Sequence, residues 1–347
     1  MDASMPIASD DRRLVSPATI ESDRARVVLL SRLVESRDEL ADRGVALVHV
    51  ERLRETARVP RRSFLQAGGC LVLAGAQAAE CPTHAADAAA ELRIGLVTDL
   101  HYADKPAAGS RHYRETPAKL AEAAEKLADE RIDVLVALGD LIDSIDTVPG
   151  ELRNLEAIHK QLAGIGEKQH FVLGNHCVDR LTKNEFLSVV GQEQSSYSFD
   201  HSGFHFVILD ACFRADGEPY GRQNFKWTDA NIPRSQIEWL EADLAAATTP
   251  VIVFAHQRLD EAKSHSVRNA AEVRKTLEQS GRVLAVFQGH SHYNSLQDLD
   301  GIHYCTLAAM VEGSGPGANA YGVLRISGDG TIRVQGFQQQ KGYDWPG

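Results

Sequence analysis

Five apolar, β-branched runs recur along this 347-residue chain, and each ends in a side chain able to hold a metal. "LRIGLVTDLH" (92–101) delivers Asp99 and His101, and "IDVLVALGDLID" (132–143) delivers Asp140. "HFVLGNH" (170–176) ends in Asn175 and His176, "PVIVFAH" (250–256) in His256, and "RVLAVFQGHSH" (282–292) in His290 and His292. Short apolar runs bounded by glycine read as strands buried on both faces. The chain has 14 histidines, so one His-x-His pair could arise by chance. Five runs that all end this way cannot be dismissed so easily.

Helix-period segments separate several of the runs. "TPAKLAEAAEKLADERI" (116–132) and "IPRSQIEWLEADLAAA" (232–247) carry Pro117 and Pro233 near their starts, and "ELRNLEAIHKQLAGI" (151–165) has the same spacing of apolar residues. Strand–helix alternation implies a layered α/β fold, whose ligands gather beyond the carboxyl ends of the strands. Towards the carboxyl terminus, Asp300-Gly301 and Asp329-Gly330 read as hairpin turns, and Ser202-Gly203 as a less standard one. These add antiparallel strands, and a second sheet packed on the first is expected.

Seven nitrogen and oxygen donors (Asp99, His101, Asp140, Asn175, His256, His290 and His292) are too many for one ion and suit two that share a carboxylate. With no thiolate among them, the set suits manganese, iron or zinc. Two ions about 3.5–4 Å apart can bridge a water, lower its pKa towards roughly 7, and clamp a phosphoryl group during in-line displacement. The chemistry indicated is phosphoester hydrolysis.

In order, D-x-H (Asp99, His101), G-D-x-x-D (Gly139–Asp143), G-N-H (Gly174–His176), His256 and G-H-x-H (Gly289–His292) resemble the calcineurin-like metallophosphoesterases over residues 92–337. The resemblance implies a four-layer α/β/β/α sandwich of two mixed sheets. It places Asp99, His101 and His292 on one divalent ion, Asn175, His256 and His290 on the other, and Asp140 on both. It also implies that His176 serves the leaving oxygen, with Asp143 orienting its ring. Two departures are Cys177, where an acidic residue usually follows G-N-H, and Gln257-Arg258 after His256.

"TDLHYADKPAAGSRHYRETPAKL" and the Glu-containing "LAAMVEGSGPGANAYGVLRI" are similar to the manganese-dependent ADP-ribose/CDP-alcohol diphosphatase branch, although that branch commonly has Gln where His101 stands. Arg111 and Arg114 are then candidates for contacting a diphosphate, and Tyr102 or Tyr113 for stacking on a base. The alternative for the arginines is surface ion pairing. The implied partner is a small phosphorylated substrate, with a phosphomonoesterase or phosphodiesterase of the same fold as the alternative function. Amidohydrolases also use His-x-His, but normally on the first barrel strand, whereas here it comes last. A non-catalytic metal-binding module would need neither a seventh ligand nor His176 backed by Asp143.

A net charge of −11 argues against a sequence-independent grip on nucleic acid. The five cysteines show no C-x-x-C spacing, and Cys212 and Cys305 read as buried thiols. His159, His170, His205 and His303 read as structural or exposed.

Residues 59–90 form a separate unit. Arg61-Arg62, then Phe64-Leu65 and an uncharged run from Ala67 to Ala79, resemble a twin-arginine export signal with Ala76-Gln77-Ala78 as cleavage site. The run is too short to span a bilayer as a helix, which takes about 20 residues. The expected location is periplasmic or otherwise extracytoplasmic; a buried helix with two chance arginines would leave the protein cytoplasmic. Residues 1–58 form an extra amino-terminal extension, charged and too long for the start of such a signal; one explanation is a true start downstream, at Val59 if its codon is GTG. Residues 91–347 are left as the metallophosphoesterase domain.

Overall fold

The computed structural model describes residues 91–345; residues 1–58 and the export signal expected at 59–90 lie outside the described residues. Twelve strands form two six-stranded sheets. In the first, β1 (Leu92–Val97), β2 (Val134–Ala137) and β3 (Gln169–Phe171) run parallel. β10 (Ala320–Ile326), β11 (Ile332–Gln338) and β12 (Tyr343–Trp345) extend that sheet antiparallel from β1. In the second, β5 (Phe204–Ile208), β6 (Val251–Phe254), β7 (Val283–Gln288) and β9 (Ile302–Thr306) are parallel neighbours. Antiparallel β4 (Tyr197–His201) and β8 (Ser295–Leu299) close its two edges.

Strand parity explains the layers. Successive side chains on a strand face opposite sides, so a strand with apolar residues at every position feeds two cores. Ile94 and Leu96 of β1, Val134 and Val136 of β2, Ile252 and Phe254 of β6, and Ala285 and Phe287 of β7 all meet between the sheets. The intervening Val97, Leu135 and Ala137 face α1 (Thr116–Asp129), α2 (Val148–Leu162) and α3 (Lys183–Val190). Val251, Val253 and Val286 face α4 (Arg234–Ala246) and α5 (Ala270–Ser280) on the opposite side. The result is the expected four-layer α/β/β/α sandwich.

One expectation needs correcting. The hairpins do not build a sheet of their own, because the parallel strands are themselves divided between the two sheets and the hairpin strands extend each edge. The Ser202-Gly203 turn is as regular as Asp300-Gly301: both are two-residue links with positive φ at each position (49° and 82°; 50° and 82°), the geometry that follows strand twist. No described helix is long and apolar enough to cross a membrane.

Candidate metal centre

The loops leaving β1, β2, β3, β6 and β7 converge where the two sheets meet, and backbone hydrogen bonds fasten them to one another. The His101 N–H donates to Asp140 O (2.8 Å), Asp99 N–H to Gly139 O (3.1 Å) and Gly289 N–H to His256 O (3.0 Å). Five of the seven expected ligands have left-handed backbone: Asp99 (φ 51°), His101 (45°), Asp140 (50°), His290 (69°) and His292 (64°). Such conformations are costly for residues other than glycine and collect at functional sites. The neighbouring glycines permit the crowding. A Cβ on Gly174 would overlap Asp140, one on Gly289 would overlap Thr98 and Asp99, and one on Gly139 would overlap the His256 ring.

Five of the seven side chains are aimed by a hydrogen bond on the other atom. Asp143 Oδ2 lies 2.9 Å from His101 Nδ1, Leu138 O 2.7 Å from His256 Nδ1, and Glu312 Oε1 2.6 Å from His292 Nδ1. That leaves the three Nε2 atoms facing the cleft, as outer partners do for metal-bound imidazoles. Asp99 Oδ2 accepts from Thr98 Oγ1 (2.7 Å) and His290 N–H (3.0 Å), while Asp140 Oδ1 accepts from His176 N–H (2.8 Å). The opposite oxygens remain directed inward.

Inside, Asp99 Oδ1 is 3.3 Å from His292 Nε2 and 3.6 Å from His101 Nε2, while those two nitrogens are 3.1 Å apart. Asp140 Oδ2 is 3.0 Å from His256 Nε2 and 3.6 Å from His101 Nε2, so it faces both halves of the cluster. Two triads could each hold an ion, Asp99–His101–His292 and Asp140–His256–His290; a third close grouping is His101–Asp140–His176. Asp99 Oδ1, Asn175 Oδ1, His256 Nε2 and His290 Nε2 are buried without a hydrogen-bond partner. Buried polar atoms are rarely left so, and four orphaned electron-pair donors around one cleft fit divalent cations.

The electrostatics agree. Burial alone would raise Asp99 and Asp140, but the adjacent imidazoles (His292 first for Asp99, His256 first for Asp140) hold both below the usual carboxylate range. Burial opposes charge on His256 and His292, yet Asp140 and Asp99, respectively, push them up to about 9. Burial and the charge of His256 push His290 down to about 3. Glu312 is held at about 2, chiefly by its bond to His292. Ionised carboxylates this deeply buried require positive charge among them.

The cluster opens into a cleft of about 320 Å³ whose wall also carries His176, Arg111, Trp227 and His265. His176 sits edge-on to His101, ring centroids 4.6 Å apart. Asp143 stands between two imidazoles: its Oδ2 lies 2.9 Å from His101 Nδ1, and its Oδ1, which accepts from Lys105 Nζ (2.7 Å), lies 3.4 Å from His176 Nδ1. Burial works against a charged His176, but Asp140 and Asp143 raise it overall.

Of the four expected substrate contacts, the structure brings only Arg111 to this cleft. Arg114 is exposed and paired with Asp104 (2.6 Å), the surface ion pair named as the alternative. Tyr113 is buried in a small apolar cluster with Lys105 4.3 Å above its ring, and Tyr102 packs against the first core. Cys177 is a buried thiol pushed up to about 12 by burial, and Arg258 is tied to Asp260, Tyr293 and Ser295. His265 and Trp227 carried no signal of their own, because they sit on irregular segments far from the motifs.

A family model described as calcineurin-like phosphoesterase matches residues 92–294, more than half of the chain. The protein belongs to that family and is accordingly a metal-dependent hydrolase of phosphoric esters or anhydrides. Among curated relatives, the zebrafish (Danio rerio) manganese-dependent ADP-ribose/CDP-alcohol diphosphatase is 23% identical over 304 residues, 69% of this chain and 93% of that one. A probable cyclic nucleotide phosphodiesterase of Pseudoalteromonas sp. (strain SM9913) is 26% identical over 232 residues, 64% of this chain and 80% of that one. A zebrafish dimetal phosphatase crystal structure superposes with a TM-score of 0.65 at 22% identity, covering 75% of this chain and 99% of that one, a likeness of fold.

Proposed function

We propose that the protein hydrolyses a phosphoanhydride of the ADP-ribose or CDP-alcohol type at a dinuclear metal centre. The observation that carries the dinuclear reading is the convergence of seven donors on one cleft, four of them with a buried ligand atom left without a partner and five held by a hydrogen bond on the other atom. Asp99, His101 and His292 would hold one divalent cation and Asn175, His256 and His290 the other, with Asp140 shared. Bound there, the cations supply Lewis acidity for a phosphoryl oxygen and acidify water. Manganese is the first choice by analogy with the zebrafish relative; iron and zinc suit the same donors.

The remaining steps belong to the chain's own side chains. His176, on the cleft wall beside Asp140, donates a proton to the leaving oxygen as the phosphorus–oxygen bond breaks. Asp143 secures His101 and sets the field at His176. Arg111 lies only loosely against Asp143 (3.7 Å) and Glu312 (4.0 Å), so its guanidinium is available to a phosphoryl oxygen. Arg114, Tyr102 and Tyr113 are released from the substrate role. The diphosphate specificity draws support from the length of the zebrafish match and from Arg111 standing on the cleft wall. A phosphodiesterase is the second reading, favoured by the Pseudoalteromonas relative. Export through the signal at 59–90 remains part of the proposal, tested by whether the native chain begins after Ala78.

The test is product analysis after manganese loading, with ADP-ribose, CDP-choline, a cyclic nucleotide, an aryl phosphate monoester and an aryl diester offered separately. Release of AMP and CMP from the first two supports the proposal. Turnover confined to the cyclic nucleotide or aryl diester moves the assignment to the phosphodiesterase. Turnover of the aryl monoester alone makes the protein a phosphomonoesterase.

A further inference from the structure

A second cleft, about 350 Å³, adjoins the metal cleft. The two share Asn175, His176 and Trp227; Arg111 lines only the first, and Asp179, Phe225, Lys226 and Thr228 line only the second. His176 and Trp227 therefore stand at the boundary between the phosphoryl position and a neighbouring space.

One large aromatic side chain stands open on that space. Trp227 is 44% exposed, one of two large hydrophobic side chains left open among the described residues. The other, Tyr293, is engaged through its hydroxyl by Arg258 (2.8 Å). Trp227 lies 5.8 Å from the His290 ring and 5.4 Å from that of His265, which fixes one side of the indole beside the metal ligands. It opens a short 3-10 turn, Trp227–Asp229, closed by the Asp229 N–H on Lys226 O (2.9 Å) and braced by Arg268 on the Asp229 carboxylate (3.3 Å). Phe225 stacks on the buried Tyr220 ring, centroids 3.8 Å apart and planes 6° from parallel. Lys226 lines the same cleft.

We infer that this second cleft is the leaving-group subsite and takes a flat heteroaromatic ring, such as a nucleobase, against Trp227. The inference rests on the proposed role of His176: if that imidazole protonates the leaving oxygen, the group attached to it departs on the His176 side. Aromatic side chains stack any base through its π-face, at a cost on alanine substitution commonly equivalent to about tenfold or more in affinity. The cleft thus assigns the aromatic contact to Trp227, which the sequence had suggested for Tyr102 or Tyr113.

Two probes isolate the ring: AMP and ribose 5-phosphate share a phosphorylated ribose and differ by the adenine. Both are titrated into the manganese-loaded protein and into W227A and W227F, with calorimetry for affinity, tryptophan fluorescence as second readout, and metal content measured throughout. The expected result is AMP binding about tenfold tighter than ribose 5-phosphate. W227A should lose that preference while keeping its metal and its ribose 5-phosphate affinity, W227F should retain most of it, and AMP should quench wild-type fluorescence more than W227A fluorescence. Equal binding of the two probes by the wild type, or a preference that survives W227A, overturns the inference. Because binding needs no turnover, a preference that depends on Trp227 in a protein that hydrolyses no diphosphate would retire the diphosphatase reading and leave the subsite standing.

Discussion

Removing the His176 imidazole should separate chemistry from metal binding, because its ring lies in the cleft while its backbone N–H, not its side chain, supports Asp140 (2.8 Å). His176→Ala is expected to lower kcat by about 10²–10⁴-fold, the usual worth of a positioned proton donor. Metal content measured on the same sample should be unchanged, and a variant that loses its metal would instead make His176 a ligand. At this scale the seven donors were legible because each follows an apolar run directly, and a strand's end fixes where its next side chain goes. Arg114 and Tyr113 were not legible: spacing says nothing about whether an arginine meets Asp104 or a tyrosine turns into the core. Glu312 was visible only as part of a loop, and its bond to His292 depends on β10 pairing with β1 from the far end of the chain.

Elements place the donors, and the links between elements carry the strain. Gly289 directly follows β7, and a Cβ there would overlap Thr98 and Asp99, so Gly289→Ala should force the β1 and β7 ends apart. The expected outcome is manganese affinity lowered by at least about tenfold, since disturbing the partners of metal ligands commonly costs 10–100-fold. An alanine variant with native metal affinity would show that the loops yield freely. Far from the metals, His205 on β5 joins Asp200 on β4 (2.7 Å) to Asp243 on α4 (2.9 Å). Burial disfavours its charge, but Asp243 and Asp200 together raise it above its ordinary value of 6.5. The stability it contributes is therefore fully present below about pH 6.5 and is lost as pH rises through the raised value. His205→Gln should cost about 1–3 kcal/mol in urea unfolding at pH 6 and progressively less at higher pH. A cost that stays constant or grows with pH would contradict this. Helices α1, α2 and α4 were legible from their apolar spacing, whereas α3 is only eight residues long and α5 is largely polar, so neither stood out from the surrounding loops.

Across the whole molecule, the fold brings two sheets together so that a cluster of donors forms at one shared edge. β1, β2 and β3 carry four of them from the first sheet, and β6 and β7 the other three from the second. Neither sheet holds the full set, which makes the donor cluster a product of sheet packing rather than of one motif. That packing was legible only in part, because parity tells which residues are buried on both faces but not which sheet a strand joins. The cleft wall formed by Arg111, Trp227 and His265 was less legible still, since it comes from three separated loops without periodic pattern. The measurement that bears most directly on the shared centre is manganese per chain after stripping and reloading, compared between the wild type and Asp140→Asn. Asp140 faces both halves of the cluster, so about two ions per wild-type chain are expected, with loss of tight binding at both positions in the variant. A wild type that binds a single ion, or a variant that keeps two, would contradict the dinuclear account.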